Sequence, residues 1–244
     1  SKNLALDRRW KSNIRKKING KAIIDDISFK INSGNIYGLL GPNGAGKTTT
    51  FYSIAGLIKC DEGEIYLDDS NITKLPMHKR SKLGIKYLPQ EPSIFQNLTV
   101  MENLMGLAEL SYGSKKDIDQ FVEKSIEDFK LSKILYSKGR ELSGGQRRKV
   151  EIARTLAADP KIILLDEPFA GIDPIAIEEI QEILRIVANN NIGILITDHN
   201  VREALDICYE SIVISQGKVI ATGSKNDLIS NELVKKVYIG KMYS

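Results

Sequence analysis

The chain has 244 residues, 42% of them hydrophobic, and its Lys and Arg exceed Asp and Glu by only four. That is enough apolar material for one domain with a large core, which argues against global disorder, and the positive excess is too small to argue for nucleic acid, so no nucleic-acid partner is expected. Two cysteines and two histidines fit neither a disulfide framework nor a histidine metal cluster.

Residues 1–17 are basic and polar, without the apolar stretch of a signal peptide. No apolar run approaches the roughly 18–20 residues that cross a bilayer. A cytoplasmic chain is expected, with any membrane association indirect and supplied by another protein.

In chain order, residues 22–31 predict one strand, and Asn32-Ser33-Gly34 a turn. A short apolar strand over 36–40 runs into a glycine loop, and a helix is expected over 48–57. Further strands are expected over 64–67 and 84–88. From about residue 97 to 158 the pattern turns helical. Thr99 and Glu102 form a capping-box pair before an apolar-periodic run, a second helix covers 115–129, and a third follows Ser143 to Ala157. Strands return over 162–165, 193–197 and 211–215. Between the first two, Asp173 caps a helix with Pro174 at its first position and an apolar face of Ile177, Ile180, Ile183, Leu184 and Val187. Gln216-Gly217 turns into a strand over 218–221, and a last helix spans 231–239. This alternation predicts a mainly parallel sheet with helices on both faces and a small antiparallel sheet beside it.

The loop Gly41-Pro42-Asn43-Gly44-Ala45-Gly46-Lys47-Thr48-Thr49 has the G-x-x-x-x-G-K-T pattern between a strand and a helix. Its glycines let backbone N–H groups approach phosphate oxygens, Lys47 adds a positive charge, and Thr48 offers a hydroxyl to Mg²⁺. Asp166 ends a buried strand, where a carboxylate can hold Mg²⁺, and Glu167 is free to orient a water. His199 follows another strand and could donate to a γ-phosphate. Gln90, after a third strand, can reach metal or water. Ser143, Gly144 and Gly145 open a helix and form a second anion site, with Gln146 beside them. That site lies on the helical insert. One chain is therefore expected not to bring both sites to one γ-phosphate, whereas two chains head-to-tail would.

Together these residues resemble the ABC transporter ATPases over nearly the whole chain. Gly41 to Thr48 is similar to Walker A, Gln90 to the Q-loop, Leu142 to Gln146 to the signature, 162–167 to Walker B, Gly171-Ile172-Asp173 to the D-loop, and His199 to the switch histidine. Within that family, the segments 88–95, 166–174, 196–203 and 237–240 are similar to the ATPases that power lipopolysaccharide export in Gram-negative bacteria. The ATPases of branched-chain amino-acid importers fit these segments less well.

The resemblance implies an α/β P-loop NTPase whose core and antiparallel part span 1–96 and 159–230. A helical subdomain over 97–158 and a C-terminal tail over 231–244 complete it. It implies an ATPase using ATP and Mg²⁺, with Glu167, His199, Gln90 and Lys47 catalytic, and Thr48, Gln90 and Asp166 at the metal. It further implies a homodimer sandwiching two nucleotides on the inner membrane. Two transmembrane permease subunits would dock near Gln90 and Phe95. The family stacks an aromatic residue on adenine where this chain has Ile18. Residues 5–17 look inserted, and Trp10 is the other candidate for that contact. The rival readings are a soluble ABC ATPase acting on DNA or ribosomes, which lacks support because the chain has no long heptad insertion and no second nucleotide domain, and a nucleotide-binding regulator without turnover, which conflicts with Glu167 and His199.

Overall fold

The computed structural model describes residues 3–6 and 14–239. The chain opens with β1 (Asn3–Leu6), β2 (Ile14–Ile18), β3 (Lys21–Ile27), β4 (Phe29–Asn32) and β5 (Ile36–Leu40), then α1 (Lys47–Ala55). Two short strands follow, β6 (Tyr66–Leu67) and β7 (Ser70–Asn71), then α2 (Met77–Lys82) and β8 (Ile85–Leu88). The helical block contains α3 (Val100–Ser111), α4 (Lys115–Asp128) and α5 (Gly144–Leu156). The rest is β9 (Ile162–Asp166), α6 (Pro174–Asn189), β10 (Gly193–Thr197), α7 (Val201–Ile207), β11 (Glu210–Ser215), β12 (Lys218–Gly223), α8 (Lys225–Ser230) and α9 (Glu232–Val234). The last described residues, Lys235–Ile239, form a π-helical turn.

Six strands form the central sheet in the order β12-β11-β5-β10-β9-β8, parallel except for the β12 edge. Its inner strands are buried throughout, so alternate residues go to opposite faces. Ile36, Leu40, Ile163, Leu165, Ile194 and Ile196 join one core with Val150 and Ile152 of α5 and the apolar stripe of α6. Tyr37, Leu39, Ile162, Leu164 and Leu195 join the other, with Phe51 and Ile54 of α1 and Ile24 and Ile31 of the antiparallel strands.

Three expectations change. The predicted strand over 22–31 is two strands that part at Ser28, and Asp26, at φ 85°, is a bulge inside the first. β3 then pairs with β2, while β4 pairs with β1 in a separate antiparallel sheet of order β4-β1-β6-β7. Part of the supposed insertion is regular structure: Ile14 pairs with Ile27, and Lys16 and Lys17 both bind Asp61. The expected tail helix is three α-helical residues and a π-turn.

The caps fall where side chains can accept from free helix N–H groups. Thr99 and Glu102 form a reciprocal capping box on α3, Ser143 and Gln146 another on α5, and Asp173 accepts from the Ala176 N–H at the start of α6. Among the described residues, no helix is long and apolar enough to cross a membrane.

Candidate active site

Strand register alone brings the chemistry together. Thr197 lies beside Asp166, Leu88 beside Leu165, and Gly38 beside Ile196. The segments that follow β5, β8, β9 and β10 therefore leave the same carboxyl edge. They carry the glycine loop, Gln90, Asp166-Glu167 and His199. In α/β sheets this edge is where ligands bind.

The glycine loop requires glycine for steric reasons. A Cβ on Gly41 would sit 2.1 Å from the Ile214 carbonyl oxygen, and one on Gly46, at φ 105°, 2.7 Å from that of Ile23. α1 starts at Lys47 with no side-chain cap and no acidic residue in its first turn. Its free N–H groups and the positive end of its dipole are left for an anion. Thr48 is exposed there and Thr49 half-buried, as is Pro42, while Asn43 and Gly44 are exposed at the tip and Ala45 is buried. Lys47 is buried, and its ammonium donates to the carbonyls of Gly41 (2.7 Å) and Pro42 (3.1 Å). Burial pulls its pKa down, against the opposing pull of Glu167 and Asp166.

Asp166 is 7% exposed. Burial raises its pKa, while the Tyr87 hydroxyl, donating to Oδ2 at 3.1 Å, opposes that rise. Glu167 turns out of the strand at φ 47°, an uncommon conformation for a side chain of this size, held by its N–H bond to the Thr197 carbonyl at 2.7 Å. The turn brings Glu167 Oε1 to 2.7 Å from His199 Nε2. Asp198 points inward instead. It is 1% exposed, accepts from the N–H groups of Phe169 and Asn200, and has a pKa raised by burial. It thereby clamps the segments on either side of Glu167 and His199.

Gln90 is exposed and lines a cleft of about 290 Å³ with Glu167, Gly144, Arg148 and Gly171. Gly144, at the start of the helix that Ser143 caps, shares this cleft, which no residue of the glycine loop lines. The approach is tight: a Cβ on Gly144 would meet Ile172 at 3.0 Å, and one on Gly145 would meet Ala176 at 2.4 Å. Ser143, Gln146 and Asp173 instead line a neighbouring groove. No hydrogen bond or ion pair among the described residues joins Ser143–Gln146 to the glycine loop. Ile18 ends β2 and is 44% exposed. Trp10 lies outside the described residues.

Motif reading missed four residues. Tyr87, half-buried, donates to Asp166, and the buried Asp198 holds the backbone at Phe169 and Asn200. Arg148 donates to the carbonyls of Pro89 and Asp166, and Glu151 pairs with Arg148 at 3.4 Å while accepting from the Ser93 N–H. A charged pair three apart on a helix with buried apolar neighbours was the available signal, and it does not say what the pair holds.

The donors suit a magnesium nucleotide. Thr48, Gln90 and Asp166 offer hard oxygens, and among the described residues no cluster of three or more His, Cys, Asp or Glu could hold a metal. Mg²⁺ needs few protein ligands when phosphates and water complete its shell.

Known proteins match this arrangement. The sequence profile of the ABC transporter family matches residues 24–170. The chain is 50% identical over 236 residues to the lipopolysaccharide export system ATP-binding protein LptB of Haemophilus influenzae, covering 95% of this chain and 96% of that one. It is 47% identical to the protein of the same name in Escherichia coli K12, over 94% and 95% of the two chains. Among solved structures, an ATP-binding cassette of an ABC transporter in its ADP conformation superposes with TM-score 0.83 at 30% identity over 98% of both chains. A nucleotide-free cassette gives 0.82 at 31%, again over 98% of both. The glycine loop, paired acids and histidine at one sheet edge, with these matches end to end, place the chain in the ABC transporter family as one of its ATP-binding ATPases.

Proposed function

We propose that this chain is the ATP-hydrolysing motor of a lipopolysaccharide exporter. Two copies would sandwich two Mg-ATP and drive separate transmembrane partners. The observation that carries the catalytic part is the 2.7 Å contact between His199 and Glu167 beside the glycine loop. The cargo rests on the close likeness to LptB from two genera.

In this reading the N–H groups of Gly44 to Thr49 and the start of α1 hold the phosphates. Lys47 moves from the Gly41 and Pro42 carbonyls to the β- and γ-oxygens. Glu167 accepts a proton from the attacking water, and His199, on the same carboxylate, orients it and donates to the γ-phosphate. Thr48, Asp166 and Gln90 would hold Mg²⁺, which would neutralise developing charge on the phosphates. Ser143 to Gln146, at the start of α5, and Asp173, at the start of α6, would close over the nucleotide of a second copy. A helical subdomain over 97–158 would carry the Ser143 to Gln146 part of this half-site.

The permease subunits would dock around Phe95, which is 52% exposed beneath the Arg154 guanidinium. That contact would hold the chain at the cytoplasmic face of the inner membrane. Ile18 or Trp10 would meet adenine, and an aliphatic contact from Ile18 would give weak preference among bases. The test is purification from detergent-solubilised membranes. Recovery of two lipopolysaccharide-exporting membrane proteins supports the reading; recovery of an amino-acid permease, or of no membrane protein, refutes the cargo.

A further inference from the structure

Thr197 ends β10, and only its carbonyl, which accepts the Glu167 N–H, has a part in the site described so far. The residue is 1% exposed, and its hydroxyl is buried with no hydrogen-bond partner among the described residues. A buried hydroxyl without a partner is costly and needs an explanation.

Strand register fixes what stands beside it. Thr197 is paired in register with Asp166 of the neighbouring parallel strand β9. Such strands lie about 4.8 Å apart, and side chains alternate between the two faces of a sheet. Leu195, two residues before Thr197, and Leu164, two before Asp166, both join the core that contains Phe51 and Ile54 of α1. The Thr197 and Asp166 side chains therefore share the face on which the phosphate-loop helix packs. Tyr87 confirms that face independently. Its ring packs against the same core, and its hydroxyl reaches Asp166 Oδ2 at 3.1 Å from β8, on the other side of β9. Asp166 thus stands between hydroxyls from both neighbouring strands, and only that of Tyr87 is bonded to it.

A carboxylate that holds a metal ion, directly or through water, keeps its aim when outer donors hold its oxygens. Tyr87 supplies one such donor in this structure. Thr197 carries the spare one, and the rotation of a side chain between its staggered positions is enough to span neighbours at this spacing.

We propose that Thr197 is a positioning residue of the magnesium site: with the magnesium nucleotide bound, its hydroxyl donates to Asp166 and, together with Tyr87, fixes the carboxylate from both sides. The assignment rests on the ATPase reading above.

The test is Thr197→Val in the full chain, a change that keeps the branched shape and removes the hydroxyl. Without nucleotide the variant should melt at or above the wild-type temperature, because the lost hydroxyl makes no bond there. The binding arm uses a Glu167→Gln background, in which ATP is held without rapid turnover. Mg²⁺ is titrated against the ATP-loaded chain, and the rise in melting temperature is read. Thr197→Val should need about tenfold more Mg²⁺ for half of that rise, the scale of losing one outer hydrogen bond to a metal ligand. ATP affinity in chelator should be unchanged, and Thr197→Ser should keep the Mg²⁺ requirement of threonine. A clear fall in the ligand-free melting temperature of Thr197→Val would mean that the hydroxyl already has its partner, and would overturn the proposal. So would an unchanged Mg²⁺ requirement in a chain that Mg-ATP stabilises. Absence of any stabilisation by Mg-ATP with Thr197 in place would refute the ATPase reading itself, and this assignment with it.

Discussion

His199 Nε2 lies 2.7 Å from Glu167 Oε1, although the two residues come from different strands. Pairing of Thr197 with Asp166 puts their segments side by side, and the left-handed turn at Glu167 closes the distance. Each group orients the other before substrate arrives. Glu167→Gln keeps the shape and removes the base. It is expected to bind ATP and lose on the order of 10² to 10⁴ in turnover, measured as phosphate release. Wild-type turnover in a clean preparation refutes the assignment.

Asp198 supports that pair from beneath. Asp198→Asn offers one acceptor oxygen where two backbone N–H groups need one each, and it aims an NH₂ at the other. The expected loss is about 1–3 kcal/mol. At about 2–4 °C per kcal/mol for a chain of this size, thermal denaturation should show a drop of several degrees. An unchanged melting temperature would mean that the clamp carries no stability.

The glycine loop separates steric need from conformational need. Gly41→Ala forces a Cβ to 2.1 Å from the Ile214 carbonyl, which belongs to a sheet strand and cannot yield. About 3 kcal/mol or more should be lost, with loss of ATP binding. Gly44→Ala meets nothing within 4 Å and suffers only the strain of φ 76°, about 1–2 kcal/mol. Chemical denaturation of both variants checks the order, and equal losses would contradict it.

Glu151 neutralises a buried arginine. Arg148 and Glu151 are 7% and 4% exposed at their side chains. Glu151→Gln leaves the guanidinium without its counter-charge and should cost about 3 kcal/mol. Turnover should fall as well, because Arg148 holds the Pro89 and Asp166 carbonyls that position Gln90 and the catalytic strand end. Full stability with full turnover would show that the pair is dispensable.

Removing Mg²⁺ tests the oxygen donors. Chelation should reduce ATP hydrolysis to background, and added Mg²⁺ should restore it. Unchanged turnover in excess chelator would take Asp166 and Thr48 out of the metal role.

Local chemistry was legible wherever one short segment holds its own cause. The Thr99 capping box, the helix start at Ser143, the Asp173 cap with Pro174 behind it, and the α6 stripe all appear as expected, because each depends on neighbours within a turn or two. The strand over 22–31 failed for the opposite reason. Its apolar residues read as continuous, and the break at Ser28 is set by which sheet each half joins. Short α2, α7 and α8 carry too few residues for a periodic signal, so packing alone defines them.

Residue order was enough to identify the phosphate loop, the paired acids and the histidine as one machinery, since each motif's chemistry resides in adjacent side chains. It could not reveal the partners that tune them. Tyr87 on Asp166, Asp198 on the Phe169 N–H and Arg148 on two carbonyls all join positions remote in the chain. Hydrogen bonds between such groups exist only once β-pairing and burial have set distances to tenths of an ångström, and no spacing rule encodes that.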